Sequence, residues 1–273
     1  MVKTGRNSQS SSKKVCIVVP VFKSHIFLLR LFNSLNVKQD CDGFSWSLYF
    51  VEDSPESNFD WQSFIGKLRQ DNLVFDQIRW IFNNKNRGVT FSRNRAYMNS
   101  GADYCVFFDS DDKALPFALE LIGREISLMT AKFNVLLLAT SAAKDIQKPI
   151  VTEDYMALLD DYGKGERLVI TRVFSNKKPF FGALRGHELA GLLRFSDNTG
   201  GGVKCSNVLV RSYLNDNQHS ISKGTALQAR LPYLIRGHLW TGRFLFTRKH
   251  FRWSARFLLA ALKLTIIRIR GAM

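Results

Sequence analysis

The chain has 273 residues, of which 45% are hydrophobic and 12% aromatic, a composition that suits a buried core and not a disordered protein. Its formal net charge of +16 is uneven, because no Asp or Glu follows Asp216 whereas eleven Lys and Arg residues do, which leaves +5 for residues 1 to 216. Because the basicity belongs to the tail and no nucleic-acid recognition motif accompanies it, the composition argues against a nucleic-acid-binding protein.

The first residues of the chain are polar. Met1 to Ser12 is rich in serine and has no apolar run, so residues 1–13 are predicted to be a disordered leader and not a secretory signal. A cytoplasmic location is therefore expected. The four cysteines show no CxxC pair and are predicted to be free structural residues, with neither zinc nor disulfides: Cys16, Cys41, Cys105 and Cys205.

Three β-branched or aromatic runs predict strands, and each ends in polar residues: Lys14 to Phe22, Ser47 to Val51 before Glu52-Asp53, and Arg79 to Phe82 before Asn83-Asn84. An amphipathic helix follows the first run. A second helix is predicted from Val89 to Ser100, closed by Gly101, and a third after Pro116. A fourth buried strand, Tyr104 to Phe108, lies between them and leads into Asp109-Ser110-Asp111-Asp112.

Residues 133–142 predict one further strand. Beyond it, glycines at 182, 186, 191 and 200 to 202 indicate loops on the acceptor side of a cleft. Strands that alternate with helices predict an α/β fold whose mostly parallel sheet has helices on both faces. Ligands of such sheets bind beyond the carboxyl ends of the strands, where the polar residues named above would share one rim.

The acidic turn after the fourth strand predicts a metal site. Three carboxylates in four positions repel one another unless a cation lies between them. Oxygen ligands without His or Cys favour Mg²⁺ or Mn²⁺ over zinc, and such an ion completes its shell with water and substrate phosphate. The other interpretation is an acidic turn that caps the following helix.

Two segments carry a family resemblance: Asn86-Arg87-Gly88-Val89-Thr90-Phe91-Ser92-Arg93-Asn94, and the apolar strand that ends in Asp109-Ser110-Asp111-Asp112. Together they resemble the family 2 glycosyltransferases of bacterial cell-surface polysaccharide type. The opening strand VCIVVPVF and the turn Val51-Glu52-Asp53-Ser54 are similar to that family as well. The resemblance covers roughly residues 14 to 120 and implies the GT-A fold, which is Rossmann-like, with a DXD motif and a Mg²⁺ or Mn²⁺ cofactor.

The resemblance also implies site residues. Asp53 would contact the nucleotide base, while Asp109 and Asp111 would bridge ribose, metal and diphosphate, with both as metal ligands. Asp112 would support them, and Arg93 would help to bind the donor. Pro20, at the end of the opening strand, and Glu52 complete the predicted substrate-binding set.

The catalytic base departs from the family pattern. The resembling enzymes carry a Glu-Asp pair before a helix, and the best matching segment here, residues 205–211, has Asn207 where the acid is expected. An amide does not accept a proton usefully, so Asp197 is the predicted base. Asp216, His187 and Glu188 are further candidates, and loss of activity is an alternative.

The tail mixes apolar and basic residues. Its longest uncharged stretch near the end, residues 257–262, is too short to span a bilayer. Arg256, Lys263 and Arg270 recur every seven residues and so share one face of a helix. Residues 231–273 are therefore predicted to be a basic amphipathic tail on an anionic membrane surface, although packing on the catalytic domain or on a partner is an alternative.

The sequence thus predicts a glycosyltransferase domain at residues 14–230, divided into a nucleotide-sugar half (14–120) and an acceptor half (121–230). The resemblance implies a metal-dependent, inverting, hexosyltransferase-like enzyme that uses a nucleoside-diphosphate sugar. Its acceptor would be a lipid-linked or lipopolysaccharide-type glycan at the cytoplasmic face of the inner membrane. Two alternatives remain: an inactive nucleotide-sugar-binding protein in a membrane-associated assembly, and a nucleotidyltransferase, which would normally show a glycine-rich loop where Pro20-Val21-Phe22-Lys23 stands.

Overall fold

The structure is a computed structural model that describes residues 12–141, 150–161, 166–175, 188–212 and 225–270. Two of the further candidates for the catalytic base, Asp216 and His187, lie outside these ranges, as do most of the predicted leader and the glycines at 182 and 186.

The described residues form one nine-stranded sheet with helices between the strands. The strands are β1 (Lys13–Val21), β2 (Phe44–Glu52), β3 (Gln77–Phe82), β4 (Tyr104–Phe107), β5 (Lys113–Ala114), β6 (Phe133–Thr140), β7 (Ile150–Thr152), β8 (Arg167–Arg172) and β9 (Gly202–Ser212). The helices are α1 (Leu28–Leu35), α2 (Trp61–Gln70), α3 (Val89–Asn99), α4 (Ala118–Ser127), α5 (Met156–Asp160), α6 (Glu188–Thr199), α7 (Thr225–Thr247) and α8 (Phe251–Arg270). The strands and helices predicted before residue 142 are confirmed to within a few residues.

The sheet has a parallel half and a mixed half. Its order is β3-β2-β1-β4-β8-β6-β9-β5, with β7 also paired to β9. The first four strands are mutually parallel, whereas β8 is antiparallel to both β4 and β6, and β5 and β7 are antiparallel to β9. The expectation of a mostly parallel sheet is therefore correct for the first half only. Strands from both halves belong to one sheet, so the division predicted near residue 120 falls within a single sheet.

Helices cover both faces of the sheet, as predicted. Alternate residues of β1 point to opposite sides, because side chains of a strand alternate. Val15, Ile17 and Val19 join a core beneath α1, α2 and α4, whereas Cys16 and Val18 join a core beneath α3, α5 and α6. The four cysteines are free, and all except the half-buried Cys41 are buried, in agreement with the prediction.

Four expectations for the second half need correction. Gly191 lies inside α6 and is buried, and Asp197 lies in the same helix and not in a loop. Residues 205–211 form part of β9, with Asn207 exposed, so they are not the start of the Glu-Asp helix. The local pattern misled because Val208, Leu209 and Val210 suit a helix or a strand equally, and the pairing with β6 decides between them. Finally, α7 runs through the predicted boundary at residue 230.

The basic tail forms a helical hairpin. α7 and α8 meet at a turn in which Lys249 has a positive φ of 65°, and Ser254 Oγ donates to the Gly242 carbonyl at 2.8 Å across the hairpin. Leu245 of α7 and Phe257 of α8 are buried in the core shared with α6. The tail is therefore helical, and it packs on the rest of the protein along one side. None of the described helices is long and apolar enough to cross a membrane.

Candidate active site

The ends of the parallel strands bring the predicted polar residues to one rim. Val21 is in register with Glu52, and Glu52 with Phe82, so β1, β2 and β3 end at the same level. Phe108, just beyond β4, donates its backbone N–H to Val18 O of β1 at 3.1 Å, which brings Asp109 to the same edge. Pro20 is buried near the end of β1, opposite Val51.

Asp53 organises the loop that follows β3. Asp53 Oδ1 accepts hydrogen bonds from Asn83 Nδ2 and from the backbone N–H of Arg87, both at 2.8 Å, and Oδ2 accepts one from the backbone N–H of Gly88 at 2.7 Å. Gly88 precedes α3 with a φ of 85°, a conformation that favours glycine. The carboxylate thus fixes the start of α3, and contact with a nucleotide base stays a prediction.

Glu52 is buried among hydrogen-bond donors. Its carboxylate accepts from the backbone N–H of Ser54 at 2.8 Å and from Trp61 Nε1 at 3.0 Å, and it pairs with His25 Nε2. His25 in turn stacks on Phe59, with 4.4 Å between the ring centroids. Burial by itself would raise the pKa of Glu52, but the hydrogen bonds from His25 and Ser54 lower it below the ordinary value for glutamate. In these contacts Glu52 stabilises the turn behind the rim.

We expect Glu52→Gln to lower the free energy of unfolding by about 1–3 kcal/mol at pH 7, because the charge-assisted bonds are lost. Since the folded state lowers the pKa of Glu52, its contribution is fully present above the unfolded pKa and is lost as pH falls through the folded one. Urea unfolding of both proteins between pH 7 and pH 3 measures this effect. A stability difference that stays constant as pH falls would contradict it.

Asp109 is held by an arginine of α3. Arg93 is buried, and its Nη2 donates to Asp109 Oδ1 at 2.6 Å while Nη1 lies 2.5 Å from Oε1 of Glu188, the first residue of α6. Burial disfavours the charge of Arg93, but Glu188 and Asp109 raise its pKa above the ordinary value. Burial would likewise raise the pKa of Asp109. The positive charges of Arg93 and Arg211 outweigh this effect, so the pKa of Asp109 lies below the ordinary value for aspartate.

A second buried arginine comes from β9. Arg211 Nη1 forms an ion pair with Asp112 and lies 3.8 Å from Asp109 Oδ2, while Nη2 lies 3.4 Å from Glu166 Oε2. Asp112 is fully buried and also accepts the backbone N–H of Asp109 at 2.8 Å, which closes the acidic turn. Burial raises the pKa of Asp112, and the charge of Arg211 opposes that increase.

Arg211 and Glu166 are residues that the sequence analysis missed. Arg211 follows three apolar residues of β9 and stands one residue before the strand ends, and a basic residue after an apolar run is a signal from which the sequence analysis could have identified it. Glu166 offers no such signal: it stands directly before β8, and its position depends on Thr140 Oγ1, which donates to the Glu166 carbonyl at 2.8 Å.

Asp109 and Asp111 fit a magnesium or manganese site in which the protein supplies only one or two carboxylates. Such ions are typically held by one or two carboxylates, with water and substrate phosphates as the remaining ligands. Asp109 and Asp111 are both partly exposed at the rim and offer only oxygen, whereas Asp112 is fully buried behind them. Among the described residues no group of three His, Cys, Asp or Glu side chains forms a metal cage, so a bound ion would depend on water and phosphate.

The predicted base, Asp197, has its contacts away from this cluster. Arg248, beside the α7–α8 turn, donates to Asp197 from Nε at 3.0 Å and from Nη2 at 2.6 Å. Asp197 stands nine residues after Glu188 in α6, a distance of about 13 Å along the helix axis. The structure therefore brings together Arg93, Asp109, Glu166, Glu188 and Arg211, and not Asp197.

Comparisons with known proteins bear on the fold of the chain. The family model of Glycosyl transferase family 2 matches residues 16–127. No curated protein sequence matches the chain. The structure is similar to residues 1–349 of S. aureus TarS in complex with UDP-GlcNAc, with 14% identity, 92% of this chain and 72% of that chain covered, and a TM-score of 0.63.

It is also similar to the mannosyltransferase PcManGT from Pyrobaculum calidifontis in complex with GDP-Man and Mn²⁺. In that comparison the identity is 13%, the coverage is 96% of this chain and 80% of that chain, and the TM-score is 0.57. Identities this low establish a shared fold. The chain therefore has the GT-A fold, and its residues 16–127 match the model of Glycosyl transferase family 2.

Proposed function

We propose that this protein is a glycosyltransferase that moves a sugar from a nucleoside-diphosphate donor, with inversion at the anomeric carbon and with Mg²⁺ or Mn²⁺ as cofactor. The observation that carries the proposal is the acidic turn Asp109 to Asp112 at the rim, held between the buried arginines Arg93 and Arg211. The family 2 match over the same segment supports it. So do the ligands of the similar structures, which are UDP-GlcNAc in one case and GDP-Man with Mn²⁺ in the other.

The donor diphosphate would lie over Asp109 and Asp111. A bound divalent cation would supply positive charge to the departing diphosphate. The chain itself contributes orientation: Asp112 closes the turn by accepting the N–H of Asp109, and Arg93 fixes the Asp109 carboxylate. Arg211 adds a buried positive charge beside both. Such preorganised charge stabilises a developing anion without reorganisation during the reaction.

The proton acceptor is best placed at Glu166. Its side chain is half-exposed, and its carboxylate lies 3.4 Å from Arg211, the residue that also reaches Asp109. Burial and the negative charge of Asp109 raise its pKa, and a base whose pKa approaches the working pH transfers protons more effectively. Glu188 and Asp197 form closer ion pairs, at 2.5 Å with Arg93 and at 2.6 Å with Arg248, whereas the contact of Glu166 with Arg211 is 3.4 Å long and holds its carboxylate less tightly.

We place the acceptor among lipid-linked or lipopolysaccharide-type glycans, and the protein at the cytoplasmic face of the inner membrane. The support is the basic hairpin α7–α8, which carries exposed apolar residues beside its positive charges. Exposed apolar area of this kind marks an interaction surface.

Donor binding tests the proposal directly. In a thermal-shift screen with UDP, GDP and CMP sugars plus Mn²⁺, a ligand at 100 times its Kd adds about 2.7 kcal/mol, or roughly 5–10 °C in Tm for a domain of this size. We expect one nucleotide class to give such a shift and Asp111→Ala to remove it. The control is Asp160→Ala, because Asp160 is an exposed aspartate at the end of α5 and does not belong to the acidic turn. No shift with any donor would overturn the proposal, whereas binding without hydrolysis or transfer would favour an inactive nucleotide-sugar-binding protein.

A further inference from the structure

Helix α8 presents an exposed apolar stripe that nothing in the described chain covers. Ser254, Phe257 and Ala261 form its buried side, toward α7. About a third of a turn away, five large apolar side chains are 40–65% exposed, and each of them stands three or four residues from another of the set: Leu258, Leu259, Leu262, Ile266 and Ile269. Because residues at this spacing share one face of a helix, they form a continuous strip. We call it the α8 stripe.

Basic residues border the α8 stripe along its length. Arg252, Arg256 and Lys263 are exposed and lie next to it on the helix surface. Arg256 and Lys263 also line an open groove of about 490 Å³, together with His238 and with apolar residues that include Leu264 and Ile267.

The α7–α8 turn continues this surface. It exposes the rings of Phe246 and Phe251, whose centroids are 5.4 Å apart, next to the basic residue Lys249. Residues 225–270 contain no Asp or Glu. The hairpin therefore offers apolar and cationic groups side by side, with no negative charge of its own.

We propose that α8 lies flat on an anionic lipid bilayer, with the α8 stripe at the boundary of the acyl chains and its basic border among the headgroups. A bilayer complements both parts of this surface: its apolar interior suits the α8 stripe, and its negative phosphates suit the basic border. A second copy docked through the same hairpin would cover the leucines, but it would place arginines and lysines against one another, because residues 225–270 hold no acid to pair them. The inference names the membrane partner of the proposed glycosyltransferase, and its physical basis does not depend on catalysis.

Vesicle binding by the whole protein tests the inference. We expect co-sedimentation with vesicles of phosphatidylcholine mixed with phosphatidylglycerol, much weaker binding to phosphatidylcholine alone, and weakening by salt. Leu259→Asp with Leu262→Asp should lower the partition coefficient at least tenfold, because two apolar side chains leave the interface. Arg252→Ser with Lys263→Ser should lower it by a similar factor, since each basic residue near such a surface contributes about 1 kcal/mol.

The matched control is Leu73→Asp, which places the same substitution at an exposed leucine remote from the hairpin and should bind like the unchanged protein. Equal binding by the α8 stripe variant, or no preference for anionic vesicles, would overturn the inference. So would a dimer in sedimentation that Leu259→Asp dissociates, because a second copy would then cover the stripe. Nucleotide-sugar binding measured without vesicles separates this outcome from a failure of the proposed function: the α8 stripe variants should keep it.

Discussion

Glu166→Gln is expected to lower kcat by roughly 10²–10⁴-fold while leaving donor affinity within a few-fold of the unchanged protein. A general base contributes about that factor, and glutamine keeps the size of the side chain but does not accept a proton usefully. The rate of the unchanged protein should rise with pH through the raised pKa of Glu166, because only the deprotonated carboxylate acts as a base. That rise should disappear in Glu166→Gln. Steady-state kinetics at several pH values, with donor affinity from titration, measure both effects.

Two other acids provide the comparison. Glu188→Gln should weaken the hold on Arg93 and so affect donor binding more than kcat, because its contact is with the arginine that fixes Asp109. Asp197→Asn should leave kcat within a few-fold, because Asp197 pairs with Arg248. If Asp197→Asn removes turnover and Glu166→Gln does not, the base predicted from the sequence is correct and Glu166 is not the base.

Arg211→Met should lower the free energy of unfolding by about 3–5 kcal/mol, because it leaves the fully buried Asp112 without its cation. Methionine keeps an unbranched apolar chain in place of the aliphatic stem of arginine, so lost packing is a smaller part of the effect. Chemical denaturation with urea measures the change as a lower midpoint at unchanged slope.

A double-mutant cycle isolates the ion pair. Asp112→Asn together with Arg211→Met removes both charges, and we expect it to be more stable than Arg211→Met alone. If the effects of the two substitutions simply add, Arg211 and Asp112 are not coupled in the folded protein, and the ion pair between them does not stabilise the acidic turn. Arg243→Met, on the exposed side of α7, is the control for loss of a surface arginine.

The first half of the fold was predictable because its signals are local. An apolar run that stops at polar residues predicts each of the four parallel strands, β1, β2, β3 and β4. The end of α3 is predicted by the glycine that follows it, Gly101, which has a φ of 61°. Parallel strands must align their carboxyl ends at one edge, so the meeting of Glu52, Asp53 and Asp109 at the rim followed from order alone. The helical basic tail was predictable for the same reason, since its periodicity is contained in the tail.

The second half was not predictable, because its geometry depends on pairing between distant segments. Arg211 reaches Asp112 across 99 residues since β5 pairs antiparallel with β9, which sets Ala114 opposite Arg211. Pairing with β6, another strand that is distant in sequence, makes residues 205–211 a strand where a helix was expected. No local pattern encodes such a register, so the match of residues 205–211 to the Glu-Asp helix segment failed for a physical reason.

The sequence by itself determined the GT-A order of strands and helices, the acidic turn at the rim, and the concentration of positive charge in the tail. These features depend on residue types at short spacing, where backbone preferences and hydrophobic periodicity act. The tertiary structure alone decided which charges surround Asp109, which acid lies beside them, and which side of α8 stays exposed. Those outcomes depend on how distant strands and helices pack, because an ion pair or a buried face exists only once both partners are in place.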